Sequence, residues 1–323
     1  MKEQILALLA GQKDFISGEV LAQRLHITRA AVWKHISLLK QQGYDIQSVP
    51  AKGYRLVSSP ATMYAYELQP YLKTKEIGRH YQYETQLTST NTVLKTLAEQ
   101  GAPHGMVLAA AMQTAGKGRL GRSWSSIPYC GIWYSVLLRP EFPPQMAGVI
   151  TLTAAVSVVE ALSAYGVPAK IKWPNDILLQ GKKLCGILSE MRGDMDTIQW
   201  IILGIGVNVG VAAESMPEEL QAIATSLAMS GYGHISQPVL AAEILNCLEK
   251  NYHILCCQGF SSLREIWMRH GAFLDELITV STIRGVKEGI CRGIDEEGYL
   301  LLEDADGSRE KIAAGDVTKK ETK

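Results

Sequence analysis

The sequence predicts an α+β protein in three parts: a winged helix-turn-helix segment, a central mixed sheet with helices packed on it, and a small β-barrel. Short helices, a turn and two strands follow one another through residues 1–60. Apolar strands and helices share residues 81–271, and short strands separated by Asp/Gly turns fill residues 272–323. Residues 61–80, rich in Tyr, Pro and Lys, are predicted to be a linker. A hydrophobic content of 47% with 20% charged residues is typical of a globular chain.

The first part has the spacing of a helix-turn-helix followed by a β-wing. Ser17 is a candidate N-cap of the second helix, and Thr28 is a candidate N-cap of a third helix that runs to Leu39. Residues 44–49 and 53–57 have the composition of two strands joined by a short turn. This order of elements predicts a winged helix.

Positive charge is concentrated in this first part. The whole chain has a formal net charge of zero, whereas residues 1–58 carry eight Lys/Arg and four Asp/Glu. A basic unit in a neutral protein indicates that a nucleic-acid surface lies there. The third-helix and wing residues expected to face DNA are Arg29, Trp33, Lys34, His35, Lys52 and Arg55. A winged helix that contacts proteins, or one that no longer binds DNA, is the alternative.

The most informative stretch of the central part is Gly116–Trp124, which reads GKGRLGRSW. It contains three glycines and three cations without an apolar period, so neither helix nor strand is expected. Glycine lets the backbone approach a ligand closely, and Lys and Arg donate to phosphate or carboxylate. The stretch lacks the ending of a Walker A loop and carries charge where a dinucleotide fingerprint needs small residues. It therefore predicts a flexible loop that orders around an anion.

Four other polar groups occur in the central part. They are Ser89-Thr90-Asn91 at a helix start, Gln113 at a strand end, Lys172-Trp173-Pro174-Asn175-Asp176, and Lys183 after a hairpin turn. Each alone has a structural explanation as a helix cap, a strand end, a turn or a solvent-facing lysine. Together with the glycine-rich loop and Gly204–Asn208, they resemble the biotin protein ligases in order and spacing. The whole chain resembles the bifunctional subgroup that is both ligase and biotin-operon repressor.

The resemblance implies a fold and a reaction. The central domain would be of the class II synthetase type, and the C-terminal barrel would be SH3-like. The family joins biotin to ATP, giving biotinyl-5′-AMP and pyrophosphate, and then transfers biotin to a lysine of the biotin carboxyl carrier protein of acetyl-CoA carboxylase. The resemblance thus implies ATP and Mg²⁺ as cofactors, operator DNA as a partner, and a homodimer when biotinyl-AMP is bound. It identifies no metal ligands.

Matching positions in the family imply roles for individual residues. The implied catalytic residues are Lys183, Arg119 and Arg122. The implied biotin-binding residues are Ser89, Thr90, Asn91, Gln113, Lys117, Gly118, Arg119, Trp124 and Lys183. The implied ATP-binding residues are Arg119, Arg122, Lys183 and Asn208, and Asp176 would orient the acceptor lysine. Lys117 stands where many members have Arg, and a lysine lacks the bidentate fork of arginine.

Two other functions remain open at this point. A lipoate-type ligase shares the fold and also makes acyl-adenylates, but the glycine-rich loop combined with Trp173–Asp176 favours biotin. A ligand-sensing repressor without catalysis need not keep an adenylating site, so the set of Gln113, Arg119 and Lys183 argues against it.

The remaining features bear on the compartment. The six cysteines show neither Cys-x-x-Cys pairs nor zinc-ligand spacing. Cys256 and Cys257 lie in an apolar helical stretch and are predicted to be buried thiols. Residues 1–4 have no signal-peptide layout, and the chain has no uncharged apolar run of about 20 residues. We therefore expect a cytoplasmic protein with no membrane partner.

Overall fold

The computed structural model describes residues 1–12, 14–41, 44–58 and 62–320. The chain divides into two compact units, Met1–Pro70 and Tyr71–Lys323. The first unit contains the predicted winged helix, and the second contains the predicted central sheet and the C-terminal strands.

The first unit is a winged helix-turn-helix. Its elements are α1 (Lys2–Ala10), α2 (Gly18–Leu25), α3 (Arg29–Gln41), β1 (Asp45–Val49), β2 (Gly53–Ser58) and α4 (Ala65–Leu68). Both predicted caps are present, because the Val20 N–H donates to Ser17 Oγ at 3.2 Å and the Ala31 N–H donates to Thr28 Oγ1 at 3.1 Å. The strands β1 and β2 pair antiparallel and form the wing.

Within residues 62–320, a seven-stranded mixed sheet forms the centre of the second unit. Its strands are β3 (Tyr81–Glu84), β4 (Val107–Ala110), β7 (Gly131–Leu138), β8 (Lys170–Lys172), β9 (Asp176–Leu179), β10 (Lys182–Gly193) and β11 (Ile198–Asn208). Between β4 and β7 along the chain, β5 (Gly116–Lys117) and β6 (Ser123–Trp124) form a separate two-stranded hairpin. The spatial order is β3-β4-β7-β11-β10-β9-β8. Only the β3–β4 pair is parallel among these ladders.

The helices of the second unit are α5 (Thr90–Glu99), α6 (Ala147–Ser163), α7 (Glu218–Gln221), α8 (Gln237–Gln258) and α9 (Ser261–His270). All of them except the short α7 pack on this sheet. Leu94 and Ala98 of α5 pack against Leu108, Leu137 and Ile202 of β4, β7 and β11. This packing fixes the N-terminus of α5 at the edge of the central strands, where the site lies.

The helix α6 is mostly buried. Residues Pro144–Ser163 are long and apolar enough to cross a membrane by length and composition, although they include the charged residue Glu160. Of this window 67% is buried inside the protein, as in a core helix. Glu160 of α6 accepts hydrogen bonds from Lys250 at 2.9 Å and Asn251 at 2.6 Å, both on α8.

The segment predicted as a linker contains ordered contacts. It includes α4 in the first unit. In the second unit, the Glu249 carboxylate on α8 accepts hydrogen bonds from the backbone N–H groups of Lys75, Glu76 and Ile77 at 2.5, 2.8 and 2.8 Å. These three residues are therefore fixed to the second unit.

The predicted β9–β10 hairpin turns through Gln180 and Gly181, which both have positive φ (52° and 79°). The strand β9 pairs only with the first part of β10, up to Gly186. Residues 188–193 pair with β11 on their other side. In the described part of the chain, no ladder covers the free edge of residues 188–193.

The C-terminal strands form a separate antiparallel sheet. Its strands are β12 (Leu277–Thr282), β13 (Gly285–Ile294), β14 (Leu300–Glu303), β15 (Arg309–Ile312) and β16 (Asp316–Lys319), in the spatial order β15-β14-β13-β12-β16. The sequence did not predict β16, because Val317 is its only buried residue and no apolar alternation marks it.

Two local predictions are wrong. The stretch Gly116–Trp124 is not strand-free, because β5 and β6 pair across it, with Gly116 opposite Trp124. Cys256 and Cys257 are exposed, since they lie near the end of α8 on the face that the protein core does not cover.

Candidate functional site

A partly open cleft lies over the middle of β10 and β11. Every residue that the resemblance assigns to biotin lines it, namely Ser89, Thr90, Asn91, Gln113, Lys117, Gly118, Arg119, Trp124 and Lys183. These residues come from the start of α5, the end of β4, the β5–β6 hairpin and the start of β10. The fold therefore brings four separate parts of the sequence to one place.

Glycines form the floor of the cleft. Gly186 of β10 lies opposite Gly206 of β11 in the ladder. A Cβ atom on either residue would lie 2.7 Å from the Trp124 ring, and one on Gly204 would lie 2.3 Å from Asn91 Oδ1. Real Cβ atoms do not approach other atoms so closely, so these strands need glycine where the indole and the amide rest on them.

Polar groups at the start of α5 form one end of the cleft. Gln113 Oε1 accepts hydrogen bonds from the backbone N–H of Thr90 at 2.8 Å and from its hydroxyl at 3.1 Å. Gln113 Nε2 donates to Ser126 Oγ at 3.1 Å. Ser89 is the N-cap residue of α5, but its side chain makes no capping hydrogen bond. The hydroxyl of Ser89 is therefore not used by the helix.

Asn91 connects this end of the cleft to the free edge of β10. Its side-chain oxygen lies 2.6 Å from Ser135 Oγ, which is also 2.7 Å from Thr90 Oγ1. Its amide donates to Glu190 Oε2 at 2.8 Å. A chain of side chains thus runs from the cleft to residues 188–193.

Lys183 lies between a ring and a carboxylate. Its Nζ is 2.7 Å from Asp176 Oδ1 and 5.5 Å from the centre of the Trp124 ring. A lysine at a strand start commonly faces solvent, but the β9–β10 register turns this amine into the cleft. The Lys183 side chain is one-third exposed and lines the cleft, so a ligand can reach it.

The two loop arginines have different surroundings. Arg119 donates to Asn175 Oδ1 at 2.8 Å, and Asn175 in turn donates to the Ile187 carbonyl at 2.9 Å. Arg122 is exposed and does not line the cleft; its guanidinium lies 2.5 Å from Asp316 of β16. Arg119 also approaches Asp316, at 3.6 Å.

Lys172 belongs to the same group of charges. Burial lowers its pKa below the usual value for lysine, Asp176 and Asp316 oppose that shift, and Lys183 and Arg122 add to it. The sequence motif contained Lys172 and Asn175 without roles, and the structure places both at the site.

Two residues near the cleft, Tyr134 and Asp316, had no sequence pattern that would assign them to the site. Tyr134 looks like one more apolar position of a buried strand, and Asp316 lies in another part of the chain. The Tyr134 hydroxyl is buried without a hydrogen-bond partner in the described structure and lines the cleft. Burial raises its pKa well above the usual value.

Asn208 does not line this cleft. Its amide is buried and donates to the Thr225 carbonyl at 2.9 Å, so its side chain holds the segment after β11. A role toward ATP stays a prediction. In the part of the chain that the structure describes, no group of three or more His, Cys, Asp or Glu side chains could hold a metal.

The predicted DNA surface of the first unit is mostly exposed. Trp33 is 65% exposed, and Arg29, Lys34 and Lys52 are also exposed. His35 departs from the expectation, because it is half-buried and its Nδ1 is enclosed without a partner in the described structure.

Arg55 is also less free than expected. It is half-buried, donates to Gln47 Oε1 at 2.8 Å, and lies over the Phe15 ring at 4.9 Å. Its guanidinium is thereby partly committed within the wing.

Comparison with known proteins first defines the class. The model of the biotin/lipoate A/B protein ligase family matches residues 83–208, an HTH domain matches 2–55, and the biotin protein ligase C-terminal domain matches 273–320. A biotin protein ligase from Aquifex aeolicus, solved with biotin and ATP, superimposes with a TM-score of 0.64 at 28% identity, over 76% of this chain and 100% of that one. The fold is therefore that of a biotin protein ligase.

Full-length relatives define the family more closely. The bifunctional ligase/repressor BirA of Bacillus subtilis is 40% identical over 94% of both chains. The BirA protein of Escherichia coli is 32% identical over 98% of this chain and 96% of its own. The chain belongs to the BirA family of bifunctional biotin ligases and repressors.

Proposed function

We propose that this chain activates biotin with ATP and transfers it to a carrier protein, and that its first unit represses transcription by binding operator DNA. One observation carries the proposal: every residue assigned to biotin from the sequence lines a single cleft, beside a cluster of cations. Ligases of this family supply the precedent for both activities.

Biotin binding divides between the two ends of the cleft. The ureido ring needs paired donors and acceptors, which Ser89, Thr90, Asn91 and Gln113 provide. Trp124 rests on the glycine floor and packs against the fused ring and the aliphatic tail of biotin. Gly118 lets the backbone approach the ligand, with Lys117 beside it.

Adenylation requires two anions, the biotin carboxylate and the α-phosphate, to be held together. Lys183 is the cation between them, because it lines the cleft and its amine forms an ion pair with one carboxylate, that of Asp176. Arg119 and Arg122 close over the adenylate from the β5–β6 hairpin, which excludes water from a mixed anhydride that hydrolyses readily.

Transfer follows from the same cluster. Asp176 orients the incoming lysine amine of the carrier, since its carboxylate already binds one amine at 2.7 Å. The neutral lysine amine then attacks the adenylate carbonyl; an amide bond forms, the bond from the carbonyl to the phosphate oxygen breaks, and AMP and a proton are released.

Mg²⁺ fits this arrangement through the substrate. Magnesium is commonly held by one or two carboxylates plus phosphate oxygens rather than by a protein cage. The ion would be held mainly by the phosphate oxygens and would neutralise the polyphosphate.

The free edge of residues 188–193 is proposed as the contact surface for a second copy of the chain when biotinyl-AMP is bound. An uncovered strand edge pairs readily with another strand, and the biotin carboxyl carrier protein would use the same edge. Two winged helices in a dimer match a two-fold operator. The relation to bacterial BirA proteins favours a cytoplasmic location.

Lys183→Ala tests the catalytic proposal, with Lys182→Ala as a matched control. Lys182 is its sequence neighbour, but its amine binds the Gln221 carbonyl at 2.9 Å and does not line the cleft. Biotin-dependent pyrophosphate release should disappear in the first variant and persist in the second. Pyrophosphate release at the wild-type rate by Lys183→Ala would remove Lys183 from the mechanism. Isotopic pyrophosphate exchange that depends on lipoate and not on biotin would favour the lipoate-type ligase.

Gel retardation with a candidate operator tests the repressor proposal. Retardation should require biotin plus ATP in wild type. DNA binding without any pyrophosphate release would favour a ligand-sensing repressor without catalysis.

A further inference from the structure

The two arginines of the β5–β6 hairpin contact a carboxylate of the C-terminal sheet. Asp316 is the first residue of β16, paired in the ladder with Ser281 of β12. Its carboxylate lies 2.5 Å from Arg122 and 3.6 Å from Arg119, which makes it the common partner of both loop arginines. The Asp316 side chain is 28% exposed, so its ion pair with Arg122 is accessible to solvent and does not lie in the core.

The surrounding charges are unbalanced. Among the described residues, this group contains four cations, Lys172, Lys183, Arg119 and Arg122, and the two carboxylates of Asp176 and Asp316. Burial and the neighbouring cations already lower the pKa of Lys172. The group is therefore short of negative charge even with Asp316 in place, and an additional anion is favoured there.

We propose that Asp316 is a positioning residue of the adenylation reaction, which holds Arg119 and Arg122 in the ligand-free site and yields them to the phosphates of the nucleotide. The inference rests on the proposed function, because it takes these arginines as nucleotide ligands. A guanidinium fork binds carboxylate and phosphate in the same geometry, so one anion can replace the other without rebuilding the hairpin.

This arrangement has a thermodynamic consequence. Asp316 competes with phosphate for both arginines, so ATP and pyrophosphate bind more weakly than the cations alone would allow. The same competition favours release of pyrophosphate after adenylation. Because Arg119 also binds Asn175, it keeps its place at the cleft when Asp316 withdraws.

The test uses the full-length protein with Asp316→Asn, which removes the charge and keeps the size. The Michaelis constant for ATP in biotin-dependent pyrophosphate release should fall about three- to tenfold, and the dissociation constant of inorganic pyrophosphate measured by calorimetry should fall by the same factor. The value of kcat should not rise, because this gain is made in the ground state as well as in the transition state. Added salt should shrink the difference, because these charges are partly exposed.

Two further variants separate competition from a structural role. Asp316→Glu keeps the charge and should keep the Michaelis constant for ATP within about twofold of wild type. Glu310→Gln removes a carboxylate that pairs with Lys287 on the same sheet, away from the cleft, and should leave both constants unchanged.

The outcomes distinguish the inference from the function beneath it. An Asp316→Asn protein with unchanged or weaker binding of ATP and pyrophosphate, alongside an active wild type, overturns the role of Asp316 alone. A wild type that makes no biotinyl-AMP in the same assay overturns the proposed function. A fall in both constants for Asp316→Asn but not for Glu310→Gln supports the inference.

Discussion

Gly206 offers the sharpest test of how the cleft is built. A Cβ atom at this position would lie 2.7 and 2.8 Å from two ring carbons of Trp124 and 3.0 Å from its indole nitrogen. Gly206→Ala must therefore displace the indole from the glycine floor. Trp124 lies in a short hairpin and is only half-buried, so it moves more easily than the ladder does.

The expected cost falls on binding. Overpacking in proteins costs about 1–3 kcal/mol, and a displaced indole narrows the space for the biotin tail. We expect biotin affinity measured by calorimetry to fall by about 5- to 140-fold, whereas the melting temperature should change by no more than a few degrees.

Controls can isolate the contact with the ring. Gly210→Ala lies just after the same strand, where the nearest atoms to a new Cβ are 3.9 Å away, and it should bind biotin like wild type. In a Trp124→Ala background, Gly206→Ala should cost little, because the clash no longer exists. Biotin affinity within twofold of wild type in Gly206→Ala would refute the reasoning.

Three other predictions test separate parts of the protein. Lys34→Ala should weaken DNA binding similarly across sequences and reduce the slope of log K against log salt by about 1; an unchanged slope would exclude a phosphate contact. Pairing with arginines lowers the pKa of Glu303 from 4.5 to about 2, so it stabilises the fold above pH 4.5, and that contribution disappears as the pH falls toward 2. Thermal melting should therefore show a smaller acid loss of stability in Glu303→Gln than in wild type; parallel pH curves would contradict this. A thiol reagent should label Cys256 and Cys257 before the fully buried Cys185 in the native protein, and the reverse order by mass spectrometry would contradict the exposure described above.

Much of the fold could be predicted because its signals are local. Caps such as Ser17 and Thr28 hydrogen-bond within one turn, and the Gln180–Gly181 turn depends only on positive φ. By contrast, β16 has one buried residue, so its pairing with β12 depends on a strand far away in sequence. The exposure of Cys256 and Cys257 likewise depends on which face of α8 the core covers.

The site was predicted as a set of residues but not as an arrangement. The order and spacing of Ser89, Gln113, Trp124 and Lys183 identified the family. Ser89 and Gln113 can hydrogen-bond to a ureido ring, Trp124 offers an apolar surface, and Lys183 can bind an anion. The sequence could not assign Tyr134, whose hydroxyl is buried in a strand that otherwise looks like core.

The sequence by itself determined most of the element types, the basic winged helix and the residues assigned to biotin, since these depend on local periodicity, composition and motif spacing. Only the tertiary structure decided that Lys183 turns inward onto Asp176, that paired glycines of two strands support Trp124, and that Arg122 meets a carboxylate from the C-terminal sheet. These are contacts between segments far apart in the chain. Their distances follow from strand register and packing, which no local pattern records.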